Sequence, residues 1–285
     1  MAIDLVDNFL SYVLQHDVCP EYKNSVEAAR AVCARAKQEF PAIGDAYSLL
    51  PGPFNEAAVR LYGQKEQQQR DGHDDSSDDG FAWYGSSGHF DANVGGGEAA
   101  AAHVFKTGLA LAAGRDACEK FRVQGCTTSV ARTYADKTFR VEALQRADEA
   151  MTALCARVRD HEGVPGNMLP LGALVLRTCA IDDGREATIT EAEFDETQAK
   201  SVTVLVEDDV LALLRPGMKM EAKIVELDVG LAVLARVVRI LPSFYTFLPQ
   251  ELMEKYKEPA PNPRPAPSVN DPAAEDAQFA AEDKA

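Results

Sequence analysis

Four short runs between residues 173 and 240 set the strongest limit on what this chain folds into. "ALVLRTCAI" (173–181), "SVTVLVE" (201–207), "MEAKIVELD" (220–228) and "LAVLARVVRI" (231–240) are dense in Val, Ile and Leu. Runs of that length and composition read as strands. In the third, Ala222, Ile224 and Glu226 alternate with Lys223 and Val225, so one face is expected to be wet. "VG" at 229–230 separates the last two runs and suggests a hairpin. "EDDVLALLRPG" reads as a short helix or a turn between strands, begun by acids and stopped by Pro216-Gly217. The sum is a small, mostly antiparallel sheet.

The first sixty residues carry a different period. Val6, Phe9, Leu10, Val13 and Leu14 recur at i, i+3, i+4 spacing and predict one buried helical face. Tyr22, Val26, Ala29, Cys33, Ala36 and Phe40 continue the pattern on a second segment. Pro20, Pro41 and Pro53 each suit a first helical position, where the amide that proline lacks would be unpaired. The expected helices are 3–18, 20–39, 41–50 and 53–62. Further helices are expected over 99–113, ended by Gly114, and over 141–158, where Val141, Leu144, Met151, Leu154, Cys155 and Val158 share a face. The stretch 127–133 reads as a strand, and "LPQELMEKYK" (248–257) as a closing helix. The fold class is therefore α+β, with a helical N-terminal layer (1–62) packed with the sheet-bearing region 99–257 as one domain.

Two stretches lack apolar periodicity. Residues 63–98 hold eight acidic and two basic side chains, a balance of −6, and residues 258–285 are rich in Pro, Ala and acids. Both are expected to be disordered, the first as a linker and the second as a tail. The "FAWY" at 81–84 is an apolar exception that suits docking.

Charge and cysteine usage narrow the function. The formal charge is −16, which makes the whole chain a poor direct ligand for a phosphate backbone. Only residues 99–162 are positive, with ten basic against eight acidic side chains, and a nucleic-acid-binding module centred on 115–159 is the reading that this leaves. No run reaches the roughly 18 apolar residues of a membrane span, and the start has neither the basic end nor the apolar core of a signal peptide. An intracellular chain with free thiols at Cys19, Cys33, Cys118, Cys126, Cys155 and Cys179 is expected.

"HDVCPEY" (16–22) places His16 and Cys19 three apart, which would suit a metal-dependent hydrolase with an acidic partner. No second Cys/His pair has zinc spacing, and Pro20 follows Cys19. The stretch reads better as a corner between two helices; it would be reopened if His16 and Cys19 faced each other beside a third ligand. Asp75, Ser77, Asp79 and Gly80 fit the start of a calcium loop, but Ser86 stands where its bidentate Glu belongs. "VGGGEAA" (94–100) lacks the Lys-Ser/Thr of a phosphate loop. No catalytic residue, metal ligand or cofactor site is assigned. In "RILPSFYTFLPQEL" (239–252), Phe244, Tyr245 and Phe247 are candidate partner-binding residues, since aromatics anchor interfaces. The competing reading is that they pack the core where the last strand turns into the last helix. Alternation puts Phe244 and Thr246 on one side, and Tyr245 and Phe247 on the other.

"FLSYVLQHDVCPEY", "AARAVCARAKQEF" and "LLPGPFNEAAVRLYG" near the start, and "VVRILPSFYTFLPQELM" near the end, resemble the fungal Argonaute-binding subunit family of the Argonaute siRNA chaperone complex, the first of its two Argonaute-binding subunits. The resemblance implies a non-catalytic role in small-RNA silencing. It implies binding to Argonaute that carries duplex siRNA and to a second Argonaute-binding subunit, with RNA met only indirectly through Argonaute. It further implies restraint of passenger-strand release and a part in heterochromatin formation with histone H3 lysine methylation. Nuclear and cytoplasmic residence is expected, without a membrane. Family members have sequence upstream of the "FLSYVLQ" helix, so this chain is expected to lack part of it. The acidic linker is expected to lie near Argonaute's basic channel.

Overall fold

A computed structural model of the protein describes residues 2–18, 20–63, 97–125, 128–159, 169–183 and 194–247. One compact unit spans Met1–Thr246, and a second begins at Phe247. The helices are α1 Ala2–Gln15, α2 Lys23–Leu49, α3 Pro53–Ala58, α4 Glu98–Ala112, α5 Arg115–Gln124, α6 Glu149–Arg159 and α7 Asp208–Leu213. The strands are β1 Val130–Gln145, β2 Leu171–Thr178, β3 Ser201–Glu207, β4 Lys219–Leu227 and β5 Ala232–Leu241.

The strands close into a barrel in the order β1-β2-β3-β5-β4, with β1 pairing both β2 and β4. The α+β class is as the sequence predicts; closure is the new element. β1 makes closure possible. It is 16 residues long, and its register shifts near Val130, between Tyr134 and Lys137, and between Val141 and Ala143. Each bulge adds bend and twist, so one strand serves two neighbours. All neighbouring pairs are antiparallel except β3 and β5, which meet in parallel through Val204↔Ala232. This strand order, with a helix between β3 and β4, is that of an OB-type barrel.

Two apolar cores flank the barrel wall. Phe139, Val141, Leu174, Leu176, Val204, Met220, Ile224 and Leu234 fill the interior, closed by Val210 and Leu211 of α7 and by Ile43 and Ala46 of α2. Outside, Phe54, Phe105 and Leu109 of α3 and α4 pack on Leu171, Leu205, Val225 and Val233. This explains why alternation is incomplete in β4: Ala222 and Ile224 face the interior, and Val225 is buried beneath the helices.

Several expectations are corrected. Val141 and Leu144 belong to β1, and the helix expected over 141–158 is confined to Glu149–Arg159. Thr138, Arg140 and Glu142 alternate with the buried Phe139 and Val141, a strand period that tertiary pairing enforces. Asp148 then caps α6, its carboxylate accepting from Met151 N–H at 2.6 Å. Pro41 does not begin a helix; it lies inside α2. The ring removes one intrahelical hydrogen bond, but the turns beyond it insert Ile43 and Ala46 into the barrel core. The stretch 115–124, left without an element by the sequence pattern, is α5. Residues 64–96 of the linker, with its "FAWY" segment, the closing helix at 248–257 and the tail at 258–285 fall outside the described set; Glu98, at the linker's expected end, is the first residue of α4.

Candidate interaction surfaces

The chain leaving β5 is fixed to α2 through a buried acid. Glu39 is 2% exposed, and its carboxylate accepts from Ser243 N–H at 2.8 Å and from the Ser243 hydroxyl at 2.7 Å. This clamp presses Phe244 against the edge of Phe40, with ring centroids 5.9 Å apart, and under the Arg35 guanidinium at 5.4 Å. Tyr245 turns the other way, and its hydroxyl donates to the Asp182 carbonyl at 3.1 Å. Arg239 steadies the same region through Glu221 and Asp183, each at 2.8 Å. Phe244 and Tyr245 are thus half-buried on opposite sides of the segment. Phe247 is half-buried and is the first residue of the second unit. Glu39 escaped the sequence reading; its only trace was an acid three residues after the buried Ala36 on the apolar stripe.

Two other buried polar groups join helix to barrel. Asn55 donates to the carbonyls of Pro51 at 3.0 Å and Leu205 at 2.8 Å, while its Oδ1 accepts from Leu234 N–H at 2.9 Å. One side chain therefore spans β3 and β5 where their own parallel pairing is sparse. Glu207, at the end of β3, accepts from Phe54 N–H at 2.8 Å in the first turn of α3. Its Oε2 finds no partner among the described residues and packs on Gly52, whose φ is +88°. Burial pushes the Glu207 carboxyl up to about 7, against the lowering effect of the Phe54 amide; Asp209 and Glu56 nearby also raise it.

The "HDVCPEY" stretch is a corner. α1 stops with Val18 N–H bonded to the Val13 carbonyl at 3.1 Å, and Asp17 takes the left-handed conformation at φ 49°. This is a Schellman-type stop with Asp in the place usually held by glycine. A 3-10 turn over Pro20–Tyr22 leads into α2. His16 is exposed and its ring lies 4.3 Å from that of Tyr12. Cys19 lies outside the described residues, and among those described no group of three or more His, Cys, Asp or Glu is arranged to hold a metal.

α1 departs most from expectation. None of its residues is buried. It lies antiparallel on α2, with Asp7 bonded to Arg30 at 3.0 Å and to Lys37 at 2.8 Å. Leu10, Val13 and Leu14 are half-buried there. The rest of the apolar face is open: Leu5 is 66% exposed, Val6 50%, Phe9 64% and Tyr12 55%. The apolar arc of α1 is wider than the surface α2 offers.

A family model described as Arb1, the Argonaute siRNA chaperone (ARC) complex subunit Arb1, matches residues 1–259. This chain belongs to the Arb1 family. Searches of curated proteins and of solved structures returned no match. The Arb1-family description concerns a complex subunit, which directs attention to surfaces rather than clefts.

In this Arb1-family barrel, the surface that OB folds use for oligonucleotides, the face of strands 2 and 3 with the loops between strands 1 and 2 and strands 4 and 5, is covered in part, while Ser201 and Thr203 of β3 stay exposed. Leu171 and Ala173 of β2, Leu205 of β3, and Val229 and Leu231 of the β4–β5 turn pack against α3 and α4. The span 115–159 is no separate module either, because it contains β1, which pairs with β2 and β4. Among the described residues no helix is long and apolar enough to cross a membrane.

Proposed function

We propose that this Arb1-family chain is a non-catalytic subunit that binds Argonaute loaded with duplex siRNA, together with a second Argonaute-binding subunit. It meets RNA only through Argonaute. It acts in RNA interference and in siRNA-dependent heterochromatin assembly with histone H3 lysine methylation, in the nucleus and the cytoplasm. The observation that carries this reading is the family match over residues 1–259. Two physical features support it. The charge of −16 opposes direct phosphate binding while favouring approach to a basic protein channel. Part of the barrel face suited to oligonucleotides, Leu171, Ala173 and Leu205 with the β4–β5 turn, is covered by the chain's own α3 and α4.

Affinity purification of the tagged chain, followed by mass spectrometry and small-RNA sequencing, tests the proposal. Argonaute, a second subunit and duplex siRNA are expected together, and nuclease treatment should remove the RNA while leaving Argonaute bound. Absence of Argonaute overturns the reading. A gel shift of duplex siRNA by the purified chain alone would overturn the indirect RNA contact.

A further inference from the structure

We infer that the open stripe Leu5–Phe9–Tyr12 of α1 is the docking surface for an amphipathic helix of another subunit of the complex, with basic residues along that helix's flanks. The inference rests on the reading of this chain as an Argonaute-complex subunit. The spacing of the stripe is i, i+4, i+7, the pattern by which one helix reads another or a groove reads a helix. All three side chains are more than half exposed, although their helix already spends its other apolar side on α2.

Charge decides which class of partner fits. α1 contains no Lys or Arg, and the acids Asp4 and Asp7 are engaged by Lys37 and Arg30. Membrane-surface helices carry Lys and Arg on the polar face, and phosphate backbones demand cations. Neither an anionic bilayer nor a nucleic acid finds that here. Asn8 and Gln15 border the stripe as uncharged neighbours, His16 lies with its ring against Tyr12, and Asp17 and Glu21 are exposed at the turn that follows. An apolar ridge with acids at one end fits an apolar stripe with cations beside it.

Area separates a partner subunit from a second copy of the chain. At these exposures, with an aromatic side chain presenting ~150–250 Å², the open stripe amounts to roughly 400 Å². A self-standing interface buries about 800 Å² on each side. The stripe is therefore one contact within an assembly held at several points, rather than a homodimer face. Its placement suits that role: α1 stands on α2, and α2 alone carries on into the barrel.

The test uses the full chain in its complex. Leu5→Ala/Phe9→Ala/Tyr12→Ala should leave the circular dichroism and the urea midpoint unchanged, because these side chains are open to solvent. It should lower recovery of at least one complex subunit by about tenfold or more, as loss of aromatic anchors does. Unchanged recovery of Argonaute and of the second subunit overturns the stripe while leaving the proposed function standing. Loss of both from the unaltered chain instead overturns that function. A photo-crosslinking amino acid at Phe9 reads the same surface without removing it. Crosslinks to a helical, basic-flanked segment of Argonaute or of the second subunit are expected. Crosslinks to another copy of the chain, to RNA, or to nothing overturn the inference.

Discussion

Glu207 is a carboxyl whose ionisation opposes the fold. Its unfolded value is near 4.5 and its folded value about 7, so the folded state binds its proton more tightly. The stability from this residue is fully present below about 4.5 and is lost as pH rises through about 7, a change of at most about 3 kcal/mol. Glu207→Gln keeps an oxygen for Phe54 N–H and cannot ionise. Urea midpoints at about pH 5 and about pH 8 should fall for the unaltered chain and fall less for the variant; parallel profiles would refute the assignment. Asp208 does not confound this comparison. Arg146, bonded at 2.6 Å, holds its carboxyl below the usual range, so its stability is lost only at lower pH. Asn55 carries more. Asn55→Ala leaves the Leu205 carbonyl and Leu234 N–H unpaired and should destabilise by about 3 kcal/mol, measured by chemical denaturation. None of these roles was legible in the sequence. Glu39, Asn55 and Glu207 act on groups more than a hundred residues away, and local pattern carries no information about such partners.

At the scale of elements, local pattern was informative about composition and silent about context. The runs at 173–181, 201–207, 220–228 and 231–240 became β2 to β5 because period two and β-branched content are intrinsic to a pleated surface. β1 is legible only within 127–133: 134–140 carry no clear period, and over 141–145 Val141 and Leu144 also fit a helical stripe running into α6. α2 passes through Pro41 because Ile43 and Ala46 have a core to enter, which sequence alone does not reveal. The α1 stripe was read as buried because periodicity states that a face is apolar and says nothing of what covers it. Close approach between elements yields a sharper test. A Cβ on Gly172 of β2 would collide with the Gln145 carbonyl and stand 2.6 Å from Leu211 Cδ1. Gly172→Ala should therefore destabilise by about 2–4 kcal/mol, since backbone cannot yield as a side-chain tip does. Gly44→Ala, inside α2 with open space around it, should leave the thermal midpoint unchanged or raise it.

For the whole molecule, the resemblance at both ends of the sequence anticipated the family, and the family match spans the barrel as well as the helices. That the N-terminal helices pack with the sheet is as the sequence pattern predicts; which parts of a closed barrel they cover is not legible there. Its interior is capped by α2, part of its outer wall is covered by α3 and α4, and its seam between β3 and β5 is bridged by Asn55. That seam has a consequence for solubility. β3 and β5 are the strands whose direct pairing is least extensive, so loss of the Asn55 bridge frees two apolar strand edges at once. Unpaired edges of this kind recruit strands from other molecules. A helix-borne amide from the first sixty residues thus guards the chain against self-aggregation, and copies altered at Asn55 are expected to precipitate on mild heating before their secondary structure melts.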